Sequence, residues 1–288
     1  MRGKLKKLFA AVLAVLLALS FSGCSELTGL DAQALMSPPK TTADREAIYA
    51  LMGGGVGDVT LVYPKYGDYR SAIISRDLDG CGTSEVVSFC ANGDAGGTRL
   101  EFFKKNTDGV WSSMARFTSA ATQVDKVFFG DLTGDGMDEI IVGWGDPLTA
   151  TASVSVYYVN GDTIREFSMT TVSYSEMLLT DFDSDNIKEL FVLQAAQTSG
   201  EEIMALGGLY RFDGDQPYVS KTVPLDAAVT RYTSVSFSQV NSWRRAAVLD
   251  GVKADGRMLT QVIGYDEASD RLISPLSNEE NATDRPTG

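Results

Sequence analysis

The chain has 288 residues, with 25 Lys and Arg, 38 Asp and Glu and no histidine, so its formal charge is −13. The missing imidazole excludes Ser-His-Asp and Cys-His nucleophile pairs and His-ligated zinc, and the acid excess speaks against unaided binding to nucleic acid or to an anionic membrane surface. With 44% hydrophobic and 22% charged residues the chain has enough apolar mass for a real core.

In chain order, the first element is a leader. Arg2, Lys4, Lys6 and Lys7 precede twelve uninterrupted apolar residues, Leu8 to Leu19, and then Ser22-Gly23-Cys24. A bilayer span takes about 20 residues, so this run has the length of a secretory h-region and residues 1–23 are predicted as a signal peptide. Ser22-Gly23-Cys24 resembles the bacterial lipoprotein processing site, with Phe21 where that family usually has Leu. The resemblance implies cleavage before Cys24, lipidation of its sulfur and a two-chain anchor that holds the protein stably on the outer side of the cell membrane. Cleavage removes four bases and no acid, leaving 21 bases against 38 acids, or −17 over 265 residues. Residues 24–41, with small residues and Pro38-Pro39, read as a tether. The spacing of Ala, Glu, Ile and Leu predicts a short helix over 42–52 with Thr41 and Thr42 as available caps. Gly53-Gly54-Gly55 ends it and, lacking the Gly-Lys-Ser/Thr of a phosphate loop, serves as part of a connector reaching residue 57.

Residues 58–277 repeat. Ala72 to Val87, Val127 to Val142 and Met177 to Val192 share one pattern: a β-rich run, a loop opening with Asp, and a second β-rich run after a Glu eight residues later. The loops open at Asp77, Asp131 and Asp181, spacings of 54 and 50 residues. Hairpin signals at Asp108-Gly109, Asn160-Gly161 and Asp213-Gly214 follow 32, 30 and 33 residues after the respective loop openings. A fourth copy runs from Ser234 through a polar break at 239–245 to a turn at Ser269-Asp270, without the acids. Four antiparallel strands per unit predict an all-β fold, a β-propeller-like array of about four blades.

The strings Asp131-Leu-Thr-Gly-Asp-Gly-Met-Asp-Glu-Ile and Asp181-Phe-Asp-Ser-Asp-Asn-Ile-Lys-Glu-Leu, with Phe129-Gly130 ahead of the former, resemble the FG-GAP and VCBS repeats of integrin-like β-propellers. With its leader the chain is similar to VCBS-type lipoproteins of gut Firmicutes. Such propellers commonly have six to eight blades. Four units either close a small ring or form part of a larger one. The polar tail 278–288 offers no strand to fasten a ring, whereas Asp58-Val-Thr-Leu-Val-Tyr63 is a candidate from the other end.

The acidic loops point to Ca²⁺, a hard cation that takes six to eight oxygens, which alternate side chains and one carbonyl of a tight loop can supply. Loop 3 offers Asp181, Asp183 and Asp185, the Ile187 carbonyl and Glu189, at positions 1, 3, 5, 7 and 9. Loop 2 offers Asp131, the Thr133 hydroxyl, Asp135, the Met137 carbonyl and Glu139. Loop 1 has Asp77, Asp79 and Glu85 but puts Cys81, a soft ligand, at position 5. The competing explanation is that these acids only form Asx-turns, yet carboxylates packed this closely repel one another without a cation. The expected role of the ion is structural.

Cys81 and Cys90 read as free thiols, since the strand from Glu85 carries Cys90 about 17 Å from the loop. Trp111, Trp144 and Trp243 suit blade packing, the alternative being an aromatic ligand platform. The function expected is a non-enzymatic, membrane-anchored, extracytoplasmic module that presents a face to a protein, peptide or glycan. The alternative is a carboxylate-dependent hydrolase or lyase acting on polysaccharide, which needs two acids about 5–9 Å apart.

Overall fold

The computed structural model describes residues 43–55, 57–146, 151–169, 173–199, 202–213, 216–239, 245–274 and 283–285. The leader, Cys24, the tether, Thr41, Thr42 and Trp243 lie outside the described residues. No helix among the described residues is long and apolar enough to cross a membrane. The chain divides into two compact units at Glu46/Ala47, and every strand belongs to the second.

Among the described residues one helix, α1 (Ala43–Leu51), precedes the strands. The strands form four antiparallel sheets, each built from consecutive strands in the order in which they occur. The first sheet contains β1 (Ile73–Arg76), β2 (Glu85–Ala91), β3 (Thr98–Lys105) and β4 (Trp111–Ser119). The second contains β5 (Gln123–Gly130), β6 (Glu139–Asp146), β7 (Thr151–Asn160) and β8 (Thr163–Met169). The third contains β9 (Glu176–Thr180), β10 (Glu189–Ser199), β11 (Glu202–Asp213) and β12 (Gln216–Leu225). The fourth contains β13 (Val229–Gln239), β14 (Arg245–Lys253), β15 (Met258–Asp266) and β16 (Arg271–Ile273), and β17 (Thr283–Arg285) pairs with β15.

In the first, second and fourth sheets the turns form where the sequence signals them, while Gly214 of the third lies outside the described residues. Gly109 (φ +79°), Gly161 (φ +59°) and Asp270 (φ +52°) take the left-handed conformation between the third and fourth strands of their sheets, as hairpin connections require.

Alternation along the second strand of each sheet explains the packing. In β6, Ile140, Val142 and Trp144 join a cluster with Val87, Phe89, Leu100 and Phe102 of the first sheet, while Ile141 points the other way and packs with Leu190 and Val192 of the third. In β10, Phe191 and Leu193 face the fourth sheet, against Ala247, Leu249 and Ile263. A central strand buried on both faces reads as a continuous apolar run, which is why Glu139-Ile-Ile-Val and Glu189-Leu-Phe-Val-Leu lack polar alternation. The outer face of the first sheet is covered too: Ile48 and Met52, with Leu51, Val59 and Leu61, pack on Val86, Cys90 and Phe103.

Two expectations about ring closure need correction. Leu61 forms an isolated bridge with Cys90, flanked by Val62 N–H donating to the Phe89 carbonyl and Ala91 N–H donating to the Thr60 carbonyl, so the 58–63 segment extends the edge of β2 in the first sheet. The polar tail does hold a strand, because Thr283–Arg285 pairs with Met258–Thr260, but it adds to the edge of the fourth sheet. Both segments join the sheet nearest in sequence, where a short strand (β1 or β16) leaves part of its neighbour's edge unpaired. Among the described residues the four sheets do not close into a ring.

Candidate functional site

Each Asp loop connects the first strand of a sheet to the second, and the three loops are built alike. The position 2 residue is apolar and buried: Leu78 enters the cluster between the first and second sheets, Leu132 that between the second and third, and Phe182 that between the third and fourth. Its backbone N–H donates to the Oε2 of the Glu at position 9, from Leu78 to Glu85 at 2.9 Å, Leu132 to Glu139 at 2.7 Å and Phe182 to Glu189 at 2.8 Å. The Asp at position 1 gathers N–H groups from across the turn: Gly82 on Asp77, Gly134 and Gly136 on Asp131, and Ser184, Asp185 and Asn186 on Asp181. Asp135 and Asp185 at position 5 accept the position 7 N–H of Met137 and Ile187, whereas in loop 1 Asp79 at position 3 accepts from Cys81. The Asx-turn reading is therefore correct as far as it goes; it accounts for one oxygen of each Glu and leaves others over.

Neighbouring loops touch. Arg76, at the end of β1, is ion-paired with Asp138 of loop 2, and the Lys188 N–H of loop 3 donates to the Asp131 carbonyl at 2.8 Å. A Cβ on Gly134 would lie 2.8 Å from Ile187 Cδ1, and one on Gly130 would lie 2.7 Å from Lys188 Cδ. Gly130 thus permits the close approach of the next loop, a physical reason for the Phe-Gly pair.

Buried oxygens without a hydrogen-bond partner mark what a cation could take: Glu85 Oε1 in loop 1, Thr133 Oγ1 and Glu139 Oε1 in loop 2, and Asp183 Oδ1 in loop 3. Burial pushes the Glu139 carboxyl up to about 7, opposed by the Leu132 and Thr133 N–H groups and reinforced by Asp135 and Asp131. Burial likewise raises Glu189 to about 7 against the Phe182 N–H, with Asp183 adding to the rise and Arg211 opposing it. Burial also lifts Glu85 above the usual carboxylate range. Oxygens of Asp181, Asp183 and Glu189 lie within 4.8 Å of one another, as do ligand atoms of Asp77, Asp79 and Cys81. Asp185 and Glu85 stand outside these two groups, and among the described residues the loop 2 carboxylates of Asp131, Asp135 and Glu139 form no group this close.

The third strands add residues that the sequence pattern did not flag. In loop 3 the Arg211 guanidinium of β11 pairs with Asp183, reaches Glu189 Oε1 at 2.8 Å and lies 3.9 Å from Asp185. In loop 1 the Lys104 ammonium of β3 lies 2.6 Å from Asp79. Burial works to raise the Asp79 pKa, but the hydrogen bonds from Cys81 and Lys104 carry it below its ordinary value. In loop 2 the side chain in this place is the Tyr158 hydroxyl of β7, which donates to Asp135 at 3.2 Å. Register makes the three equivalent: each lies one step beyond the pairs Val86↔Phe103, Ile140↔Tyr157 and Leu190↔Tyr210, facing the loop's Glu. Lys104 and Tyr158 both fall 27 residues after their loop's first Asp, a phase visible in the sequence.

Cys81 is exposed and Cys90 buried, and neither forms a disulfide. Trp144 is buried between the first two sheets and Trp111 packs at the outer face of the first, so neither belongs to an exposed platform. Among the described residues the exposed aromatic rings are instead those of Tyr63, Tyr66 and Tyr218. No family model and no curated protein matches the chain.

Proposed function

We propose that the protein is a calcium-stabilised, propeller-like binding module without catalytic activity, anchored outside the cytoplasm through lipid on Cys24. On this reading it offers a face to a protein, peptide or glycan. The observation that carries the reading is loop 2: Glu139 is 1% exposed, its Oε1 lacks a partner, and the buried Thr133 hydroxyl beside it also lacks one. Together with Asp131 and Asp135 these are hard oxygen donors of the kind Ca²⁺ takes. Bound there, the ion would offset the mutual repulsion of the loop acids and supply the missing partner to Glu139. The loop's own residues do the rest: Asp131 and Asp135 hold the turn through backbone N–H groups, and Leu132 anchors it between two sheets.

Four consecutive four-stranded sheets, each packed on the next and three of them opening with an Asp loop between the first two strands, support the propeller-like reading. A binding role is favoured over a carboxylate hydrolase because the buried acids among the described residues are committed to structure. Glu101 is held by Arg99 and Arg116, and Glu85, Glu139 and Glu189 by backbone N–H groups.

Scanning calorimetry of the purified protein in Ca²⁺ and in chelator tests the calcium reading. Ligand at about 100 times Kd stabilises by about 2.7 kcal/mol, so Tm should be higher in Ca²⁺ by about 5–10 °C. Identical melting in both, with no heat on Ca²⁺ titration, would remove it. Radiolabelled palmitate incorporated by the unmodified chain but not by Cys24→Ser tests the anchor.

A further inference from the structure

The three loops share one backbone design but not one charge. We propose that Lys104 and Arg211 are built-in counter-cations that take the place of a divalent ion in loops 1 and 3, so that calcium binding is confined to loop 2. This rests on the calcium reading of loop 2 and says which loops that reading leaves out.

Three observations point the same way. The residue facing the loop's Glu from the third strand is Lys104, Tyr158 and Arg211 in the three sheets, so only loop 2 has a neutral side chain there. Among the described residues no lysine or arginine forms an ion pair with Asp131, Asp135 or Glu139; the base that reaches loop 2, Arg76, is paired with Asp138 at position 8, outside the donor set. The sheet backbones divide in the same manner. In the first sheet the register of β3 and β4 slips between Phe102 and Phe103, and in the third that of β11 and β12 slips between Leu209 and Tyr210, in each case just before the basic residue. In the second sheet β7 and β8 pair without a break from Val154↔Met169 to Asn160↔Thr163. The extra residue of each bulge, Met114 on β4 and Ser220 on β12, lies on the strand beside the one that carries the base, where a bulge increases the local twist.

A tethered cation is hard to displace. At an effective dielectric of about 20, one unit positive charge 4 Å from another weakens binding roughly a thousandfold, and a divalent ion is affected more. In loop 3 the guanidinium already satisfies Glu189 Oε1, the oxygen whose counterpart in loop 2 is free. Glu85 Oε1 of loop 1 is also without a hydrogen bond, but there the ammonium sits on Asp79 and position 5 supplies the soft Cys81 thiol. Loop 2 combines free buried oxygens with a neutral neighbour, and its carboxylates, with no base among them, are not gathered within 4.8 Å as the ligand atoms of loops 1 and 3 are.

Ca²⁺ is titrated calorimetrically into the purified protein and into Glu139→Gln, Glu189→Gln and Arg211→Tyr, the last copying Tyr158. One equivalent is expected for the unmodified protein. Glu139→Gln should weaken it at least tenfold, Glu189→Gln should leave it within twofold, and Arg211→Tyr should gain a second equivalent. Two or three equivalents in the unmodified protein overturn this proposal and leave the calcium reading standing. So does a single site lost in Glu189→Gln but kept in Glu139→Gln, or a folded Arg211→Tyr that stays at one. No heat from the unmodified protein removes both. If Arg211→Tyr lacks the native circular dichroism spectrum, Lys104→Tyr with Cys81→Asp gives loop 1 the neutral tyrosine and the position 5 carboxylate that loop 2 has. A second equivalent in that variant supports the proposal and its absence overturns it.

Discussion

At position 4 of each loop the backbone is left-handed, with φ +67° at Gly80, +80° at Gly134 and +66° at Ser184. A residue with a Cβ costs roughly 1–2 kcal/mol in this conformation, whereas glycine adds about 0.4–1 kcal/mol of unfolded-state entropy. The first term is the larger, so Ser184→Gly should stabilise the protein by about 0.5–1 kcal/mol. No hydrogen bond of the serine hydroxyl opposes that gain among those found for the loop. Gly134→Ala should act in the opposite direction, losing about 1–2 kcal/mol, because its Cβ would also meet Ile187 Cδ1 at 2.8 Å. Urea midpoints of the two variants at constant m-value measure both effects; shifts of the same sign would show that loop conformation is not what sets them. Asn186 (φ +71°) is a milder case, since asparagine tolerates this region better than serine does.

At the scale of the element, the first sheet is fastened to the segment after α1 through a buried acid. Glu101 on β3 is fully buried, Arg99 lies 2.6 Å from it and Arg116 on β4 lies 2.9 Å from it. Arg99 also donates to the Met52 carbonyl at 2.6 Å. Breaking a buried pair costs about 3–5 kcal/mol when the partner is left alone. Arg99→Ala leaves Glu101 one base and should cost about 2–4 kcal/mol. Arg116 is 49% exposed, so solvent screens it and Arg116→Ala should cost only about 1 kcal/mol. Chemical denaturation of the pair checks the order, and an equal loss from both would refute it. These contacts also mark how far the sequence could be read. Turns and period-2 patterns are local, so the four strands per unit and the acidic loops were legible from repeat phase alone. Lys104 and Arg211 matter because of cross-strand register, which turns fix only once the sheet exists. The edges that residues 60–62 and Thr283–Arg285 join depend on where β1 and β16 stop, and no local pattern records that.

For the whole array of sheets, coupling runs between neighbours, since each of three apolar clusters joins one sheet to the next. Stability in such an arrangement approximates a sum of unit and interface terms, so a local loss need not spread evenly. Loop 2 sits at a particular junction: Leu132 is 1% exposed and packs among residues of the second and third sheets, and its N–H is held by Glu139. On the calcium reading, removing the cation from loop 2 would free a self-repelling turn at that junction and leave the α1-covered face of the first sheet untouched. Hydrogen exchange in chelator should therefore speed up first at the Leu132 amide and in β6, β9 and β10. Exchange in β2 and β3 should hold within about twofold of its rate in Ca²⁺. Equal acceleration across all four sheets would mean that the array opens as one cooperative unit, and the nearest-neighbour account would fall. Localised acceleration around loop 3 instead, in β10 and β14 with β6 unchanged, would place the ion beside Arg211 and contradict the charge partition between the loops.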